Sequence, residues 1–296
     1  MKKVLITGAG SYIGTSFEKW TGANSPELRT ETVDMLGDGW RSKSFQGYNS
    51  VFHVAGIAHA DVGRVTEEQK ALYYAVNTDL ALECARKAKT DGVGQFIYMS
   101  SIIVYGASAG IGGEKVITKD TPPAPENFYG DSKLKAEEGL RQMADASFKI
   151  VILRPPMIYG RGSKGNYPLL SKMAGRLPFF PDIPNKRSML YIGNLCCFVA
   201  RMVENEEDGL FFPQNREYVQ TSRMVEAIAR VRGHKICMTK MFNPALRLAG
   251  RFGGRPGRLV NKAFGNLVYD KALSIYKEDY QVYSLEESVR LTEGAG

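Results

Sequence analysis

Tyr129 and Lys133 stand four residues apart in Tyr129-Gly130-Asp131-Ser132-Lys133, a spacing that puts both side chains on one face of a helix. A free tyrosine titrates near pH ~10 and is a poor base at neutral pH. A nearby ammonium favours the phenolate and lowers that value, so the pair reads as a proton-transfer device. The lysine has a second use in holding a ribose. Ser101 lies 28 residues upstream of the tyrosine, in Met99-Ser100-Ser101-Ile102-Ile103-Val104-Tyr105-Gly106, just after a strand-like run. A hydroxyl there can hydrogen-bond the reacting oxygen of a substrate and share its proton. Alone, Tyr-x-x-x-Lys is a coincidence of helix faces; Ser101 and the glycines at the start of the chain give it meaning.

Those glycines stand in Thr7-Gly8-Ala9-Gly10-Ser11-Tyr12-Ile13-Gly14. The motif follows a short apolar run and opens a helical pattern, the context in which Gly-x-Gly-x-x-Gly signals dinucleotide binding. Gly8 permits the tight turn, Gly10 lets the backbone approach a pyrophosphate, and Gly14 lets the helix pack close to the sheet. Ser11, Tyr12 and Ile13 belong to the helix start, where free N–H groups and a positive dipole end face the phosphates. Asp34 ends the second predicted strand, 26 residues after Gly8. Its carboxylate can accept from adenosine ribose hydroxyls and repels a 2′-phosphate. NAD is therefore the expected cofactor, with NADP left open because Arg41 could reach a 2′-phosphate. The bland alternatives are a glycine turn without a ligand and a surface aspartate.

Strands are predicted at Lys3–Thr7, Glu31–Met35, Ser50–Val54, Gln95–Met99 and Lys149–Leu153, and helices at Tyr12–Trp20, Glu67–Thr90 and Ser132–Ala144. This alternation implies a parallel sheet covered on both faces. After Arg154-Pro155-Pro156 the pattern loosens, with glycine and proline crowding the interval 160–184. A helix is predicted over Leu195–Val203, and another runs to Arg232 with Thr221 as its cap.

A chain of 296 residues with 44% hydrophobic and 24% charged content affords a sizeable core for one large α/β domain or a domain with an appendage. No apolar run approaches the roughly 20 residues that cross a bilayer. Gly8, Gly10 and Gly14 interrupt the apolar start before it could serve as a signal peptide. A cytoplasmic protein is expected. Cys84, Cys196, Cys197 and Cys237 form no Cys-x-x-Cys pair and read as small buried hydrophobes. His53, His59 and His234 lack metal-ligand spacing, so no metal is expected. The net charge of +8 points to an anionic partner, a diphosphate, a nucleic acid or a membrane face. Nothing resembling a helix-turn-helix, zinc or RNP motif supports nucleic acid.

With these residues in place, the chain resembles the extended short-chain dehydrogenase/reductases, specifically the NAD-dependent nucleotide-sugar epimerase/dehydratase branch. The likeness runs over nearly the whole length, through TGAGSYIG, VFHVAGIAH, AVNTD, SSIIVYG, YGDSK and LRPPMIYG. It implies an α/β fold, a Rossmann-like doubly wound parallel sheet with a smaller C-terminal substrate domain. Residues 1–160, joined by 188–212, would bind the dinucleotide; 161–187 and 213–296 would bind the substrate. Ser101 and Tyr129 would be the catalytic hydroxyls and Lys133 the cofactor-ribose lysine. Asn77 would sit in the helix backing the site, Ala55 and Gly56 along the adenine side, and Pro156 near the nicotinamide amide. Backbone packing is the plainer role for Ala55, Gly56 and Pro156.

Lys164-Gly165-Asn166-Tyr167 and the stretch from Asn185 to Ile192 are similar to substrate-domain segments of UDP-hexose 4-epimerases. They are also similar to segments of UDP-4-keto-N-acetyl-sugar reductases of polysaccharide pathways. That similarity implies Arg187 on the substrate diphosphate, where a bidentate guanidinium fits, and Asn166 on a phosphate or the sugar. Many dehydratases of the branch carry an Asp-Glu pair just after the catalytic serine or threonine. Ile102 and Ile103 stand there in this chain and cannot act as acid or base, so dehydration is disfavoured. The leading expectation is 4-epimerisation of a UDP-hexose or UDP-N-acetylhexosamine. A UDP-4-keto-sugar 4-reductase uses the same residues once. A non-catalytic dinucleotide sensor is opposed by the intact Ser101, Tyr129 and Lys133 set. A cofactor recycled within each turnover is naturally NAD, which agrees with Asp34. The sugar and the oligomeric state, a homodimer included, stay open.

From Lys240 to Lys271 seven basic residues face one acid, Asp270, a local charge of +6. Phe242, Leu246, Leu248, Phe252, Leu259, Val260, Phe264 and Leu267 are interleaved with them. Such a segment can lie peripherally on an anionic membrane. Alternatively its apolar residues pack into the substrate domain while an arginine such as Arg258 binds the UDP phosphates. Gly253, Gly254, Pro256 and Gly257 interrupt any continuous helix, which favours packing.

Overall fold

Val4-Leu5-Ile6, Val51-Phe52, Phe96-Ile97-Tyr98 and Ile150-Val151-Ile152-Leu153 are apolar without alternation, and all are buried, as strands covered on both faces require. The computed structural model describes residues 1–58, 66–252 and 254–294, with the side chains of Arg255 and Pro256 excepted. His59 and Gly253 lie outside the described residues. In chain order the elements are β1 (Lys2–Thr7), α1 (Tyr12–Asn24), β2 (Leu28–Val33), α2 (Gly39–Ser42), β3 (Ser50–His53), α3 (Glu67–Tyr74), α4 (Leu80–Thr90), β4 (Gln95–Met99), β5 (Val116–Ile117), α5 (Phe128–Arg141), β6 (Lys149–Leu153) and β7 (Met157–Tyr159). There follow α6 (Tyr167–Ala174), β8 (Phe179–Pro181), β9 (Met189–Tyr191), α7 (Ile192–Glu204), β10 (Gly209–Phe211), α8 (Thr221–Val231), β11 (Cys237–Thr239), α9 (Asn243–Arg251), α10 (Arg255–Phe264), β12 (Val268–Tyr269) and α11 (Leu285–Glu293).

Six strands form one parallel sheet in the order β2-β1-β3-β4-β6-β10. The winding reverses between β1 and β3, and in doubly wound sheets ligands bind beyond the strand ends at such a switch point. Thr7 stands opposite His53, His53 opposite Tyr98 and Met99 opposite Leu153. That register delivers Gly8, Val54, Ser100 and Arg154 to one rim. Hydrophobic clusters lie on both faces. One gathers Phe17, Leu195, Phe198, Met224 and Val289, the other Trp40, Phe45, Ala85, Leu140 and Phe148. Beyond the sheet, β7 pairs with β9, β8 with β11 and β5 with β12. Tyr269 on β12 donates its hydroxyl to the Arg154 carbonyl at 2.8 Å, tying the late segments to the rim.

Several predicted boundaries move. Strand β2 stops at Val33, so Asp34 lies just past it. The helix predicted over Glu67–Thr90 is divided by a π-helical turn, Ala75–Asp79. Helix α5 starts four residues earlier than predicted, at Phe128, because the Asn127 side chain caps it by accepting from Gly130 N at 2.9 Å. Tyr129 therefore sits in its first turn. Gln220, not Thr221, is the cap residue of α8; the Thr221 hydroxyl instead donates to the Ala263 carbonyl at 2.7 Å. Gly254, at φ 93°, divides α9 from α10, as the glycine-rich interval predicts. Cys84, Cys196 and Cys197 are buried, whereas Cys237 is exposed. Among the described residues no helix is long and apolar enough to cross a membrane, and no group of three metal-ligating side chains occurs.

Candidate active site

Gly8 and Gly10 adopt φ of 103° and 72°, left-handed backbone that disfavours any residue with a Cβ. A Cβ on Gly8 would lie 3.0 Å from the Ala55 nitrogen, so the turn after β1 touches the turn after β3. A Cβ on Gly14 would lie 2.7 Å from Ser11 Oγ and 3.0 Å from an Ile6 methyl, the close helix–strand approach expected of that glycine. Ser11 Oγ accepts from Gly14 N at 3.2 Å and caps α1. Gly10, Ser11, Tyr12 and Ile13 open onto a cleft of about 870 Å³ at the rim of the sheet. Gly56, Ser101, Tyr129, Lys133, Pro156, Asn166 and Arg187 line the same cleft. Residues far apart in the chain thus converge on one cavity.

Asp34 is exposed beside this rim and its Oδ1 accepts from Leu36 N at 3.0 Å. Arg41 is already engaged. Its Nε and Nη2 meet the two Glu83 carboxylate oxygens at 2.5 and 2.7 Å, and Asp38 pairs with Nη1. Its guanidinium lies 4.8 Å from the Trp40 ring centroid.

Asn77 is fully buried in the π-helical turn. Its Oδ1 accepts from Ile57 N at 2.9 Å, and its Nδ2 donates to Ile57 O at 3.0 Å and Ser132 Oγ at 3.1 Å. This clamp ties the loop after β3 to α5. A Cβ on Gly56 would stand 3.1 Å from Asn77 Oδ1 and 3.2 Å from Lys133 Nζ, so glycine is what lets that loop pass the lysine.

Lys133 is buried, donates from Nζ to the Met99 carbonyl at 2.8 Å and lies 4.7 Å from the Tyr98 ring centroid. Burial pulls its pKa down to about 7, with Glu137 opposing. Burial pushes Tyr129 up to about 12; a hydrogen bond with Ser101 pulls it down and Tyr73 adds to the rise. The expected depression of the tyrosine by the lysine is thus not what this geometry delivers. The lysine is turned to a backbone carbonyl, and the Ser101 hydroxyl is the group that favours the phenolate. Nearby, His53 Nδ1 pairs with Thr7 Oγ1 at 2.8 Å. Burial, helped by the charge of Lys133, pulls His53 down to about 3 and keeps it neutral.

Three features escape local sequence reading. Glu137 and Arg154 form a buried ion pair behind the lysine. Lys164 and Lys262 bring two further cations to the cleft. Arg187 Nη1 donates to the Lys262 carbonyl at 2.6 Å, and burial lowers the pKa of that arginine. The only sequence signal for Glu137 is its i+4 position from Lys133. Arg258 is exposed and does not line the cleft; Lys262, one helical turn further along α10, does. Asn166 lies at the start of α6.

The glycine turn and the Ser101, Tyr129 and Lys133 side chains thus face one cleft. Residues 4–219 match the NAD dependent epimerase/dehydratase family, and the chain belongs to that family. It is 31% identical over 249 residues to UDP-glucose 4-epimerase of Vibrio cholerae, covering 77% of this chain and 75% of that protein. It is 29% identical over 224 residues to N-acetyl-alpha-D-glucosaminyl-diphospho-ditrans,octacis-undecaprenol 4-epimerase of Escherichia coli O157:H7, covering 70% of this chain and 64% of that one. The crystal structure of UDP-glucuronic acid 4-epimerase from Bacillus cereus in complex with NAD shares the fold, with a TM-score of 0.72 at 17% identity over 99% of this chain and 97% of that one. The protein is an NAD-dependent enzyme of the epimerase/reductase type with the expected Rossmann-like sheet.

Proposed function

We propose that the enzyme epimerises a UDP-hexose or UDP-N-acetylhexosamine at C4. The observation that carries this reading is the meeting of Ser101 and Tyr129 at the cleft that Gly10, Ser11 and Lys133 also line, with the serine hydroxyl lowering the Tyr129 pKa and no acid or base at Ile102 or Ile103 to eliminate water. The 4-epimerase names of the two relatives agree with it.

The residues fit a dinucleotide. Space is open beside Gly10, and the first turn of α1 faces the cleft. In this reading the N–H groups of Gly10, Ser11, Tyr12 and Ile13 hold the pyrophosphate, and Asp34 holds the adenosine ribose. Ala55 and Gly56 flank the adenine side, Lys133 holds the nicotinamide ribose with Asn77 fixing its helix, and Pro156 lies by the nicotinamide amide. Residues 1–160 with 188–212 serve the cofactor, while 161–187 and 213–296 serve the substrate. Bound NAD supplies a reversible hydride acceptor at the sugar C4. Tyr129 removes the C4 hydroxyl proton and later returns it, and Ser101 holds the same oxygen. Arg187 binds the substrate diphosphate, Asn166 a phosphate or the sugar, and Lys164 and Lys262 add positive potential.

Incubating the protein with a panel of UDP-sugars, with and without NADH, tests the reading. Interconversion of two UDP-sugars without added reductant is the expected result. Stoichiometric NADH or NADPH oxidation with a 4-keto sugar, and no interconversion, would replace it with the 4-reductase reading.

A further inference from the structure

Met241, Leu248, Phe252 and Leu259 are 74%, 56%, 64% and 66% exposed. Met241, Ala245, Leu248 and Phe252 recur at helical spacing along and beside α9, so they form one outward stripe. Leu246 turns the other way and packs on the core, as do Val260 and Ala263 of α10. The inward faces of the two helices already supply the packing that the glycine-rich sequence suggests. The outward apolar face is additional to it.

Lys240, Arg247, Arg251, Arg258 and Lys262 are exposed around this stripe. Among the described residues no carboxylate pairs with any of the five. Elsewhere the surface arginines are commonly matched, as in Arg201–Glu278, Arg216–Asp279, Arg223–Glu226 and Arg232–Glu293. Residues 240–269 contain neither aspartate nor glutamate. Large apolar groups set among uncompensated cations complement a surface that offers anions over hydrocarbon, which is an anionic bilayer. A nucleic acid would use the cations but leave Met241, Leu248, Phe252 and Leu259 unexplained. The patch is also joined to the cleft. Lys262, which lines the cleft, lies one turn after Arg258 and Leu259, and its carbonyl holds Arg187.

We propose that α9 and α10 form a peripheral docking surface for an anionic lipid bilayer. The apolar stripe enters the boundary between headgroups and acyl chains, and Arg247, Arg251 and Arg258 meet the lipid phosphates. The inference stands on exposed side chains and charge and is independent of the sugar assignment.

Sedimentation of the full chain with vesicles tests it. The wild type is expected to pellet with vesicles of phosphatidylglycerol and phosphatidylcholine at low salt, to release as salt rises, and to ignore pure phosphatidylcholine. Arg247→Gln with Arg251→Gln is expected to weaken binding roughly 30-fold. Leu248→Ser with Phe252→Ser is expected to weaken it as well. Because all four side chains are exposed, both double variants should keep the wild-type melting temperature and NAD affinity, which separates lost docking from lost folding. Failure to pellet with anionic vesicles at low salt would overturn the proposal, as would equal pelleting by both double variants. A concentration-dependent dimer dissociated by Leu248→Glu would assign the stripe to a second copy of the chain instead.

Discussion

Glu137 lies four residues beyond Lys133 on α5, yet its carboxylate is held by Arg154 and not by the lysine. Arg154 Nη2 meets Glu137 Oε2 at 2.5 Å, and Nε reaches both oxygens at 2.9 and 3.2 Å. Ser100 Oγ and Arg141 Nη2 add bonds at 2.5 and 3.0 Å. Arg154 Nη1 donates to the Tyr105 hydroxyl at 2.6 Å. The cluster joins the ends of β4 and β6 to the middle of α5. Ser100 is the neighbour of Ser101, so the same lock fixes the spacing between Ser101 on its loop and Tyr129 on its helix.

A buried pair of this kind is far costlier to break than to replace, because removing one partner strands the other charge. Glu137→Gln and Arg154→Met are each expected to lose about 3–5 kcal/mol in urea unfolding. The double variant Glu137→Met/Arg154→Met should lose clearly less than the two singles combined. Additive losses would show that the two side chains do not act as a unit.

Tyr129→Phe keeps the ring and its edge-on approach to Tyr73, whose centroid lies 6.0 Å away, and removes only the hydroxyl. Turnover should fall by at least ~100-fold, with NAD affinity nearly unchanged because the lost interaction belongs to the transition state. Ser101→Ala should lower turnover less and move the ascending limb of the pH–rate profile, on which Tyr129 becomes the base, to higher pH, since Ser101 is the group that holds the Tyr129 pKa down. Activity of Tyr129→Phe within a few-fold of wild type would remove the tyrosine from the proton-transfer role.

Cofactor choice follows from two carboxylates. Asp34 is free to meet a ribose, while Glu83 holds Arg41 by both its oxygens. Asp34→Ala should weaken NAD binding and relax discrimination against NADP. Adding Glu83→Gln releases the Arg41 fork and should improve NADP binding further, by a few-fold for a surface charge. Fluorescence titration with both reduced cofactors checks this. Tighter NADPH than NADH binding by the wild type would contradict the role given to Asp34.

The motifs legible in the sequence are those whose parts lie within a few residues of one another. Gly8–Gly14 and Tyr129–Lys133 need only local turns and one helix face, and both meet at the cleft. The register of a strand run is nearly as local, as Gln95–Met99 and Lys149–Leu153 show. What stayed hidden depends on sheet order. Arg154 reaches back 17 residues to Glu137, His53 46 to Thr7, and Arg187 forward 75 to Lys262. No periodicity encodes those meetings. The π-helical turn at Asn77 is invisible because one extra residue barely disturbs a helical apolar pattern. Arg258 and Lys262 share a helix face one turn apart, and a helix that begins among glycines leaves open which of them faces the cleft.

Stability of the cofactor-free protein should depend on pH through groups buried around the site. His53 falls from its ordinary 6.5 to about 3. Between those values the unfolded chain binds a proton that the native chain does not, so stability rises with pH. Lys133 falls from 10.5 to about 7. The cost of burying its ammonium is fully present below about 7 and is relieved as pH climbs toward 10.5, so stability rises again across that window. Tyr129 moves the other way, from 10.0 to about 12. Between those values the native chain keeps a proton the unfolded chain has lost, so stability falls. Buried Tyr98 and Tyr269 are also raised well above the ordinary value and steepen that fall. Burial also raises the Cys84 and Cys196 thiols from their ordinary 9.0, so the fall begins there, and urea unfolding should place the maximum near the ordinary thiol pKa, about 9. Lys133→Met removes the titrating group but keeps a long apolar side chain. It should flatten the rise above pH 7, which in the wild type amounts to on the order of 3 kcal/mol at most. His53→Asn should reduce the slope on the acid side and leave the rise above pH 7 in place. A Lys133→Met curve parallel to wild type between pH 7 and 10 would mean that the lysine is charged and solvated in the free protein.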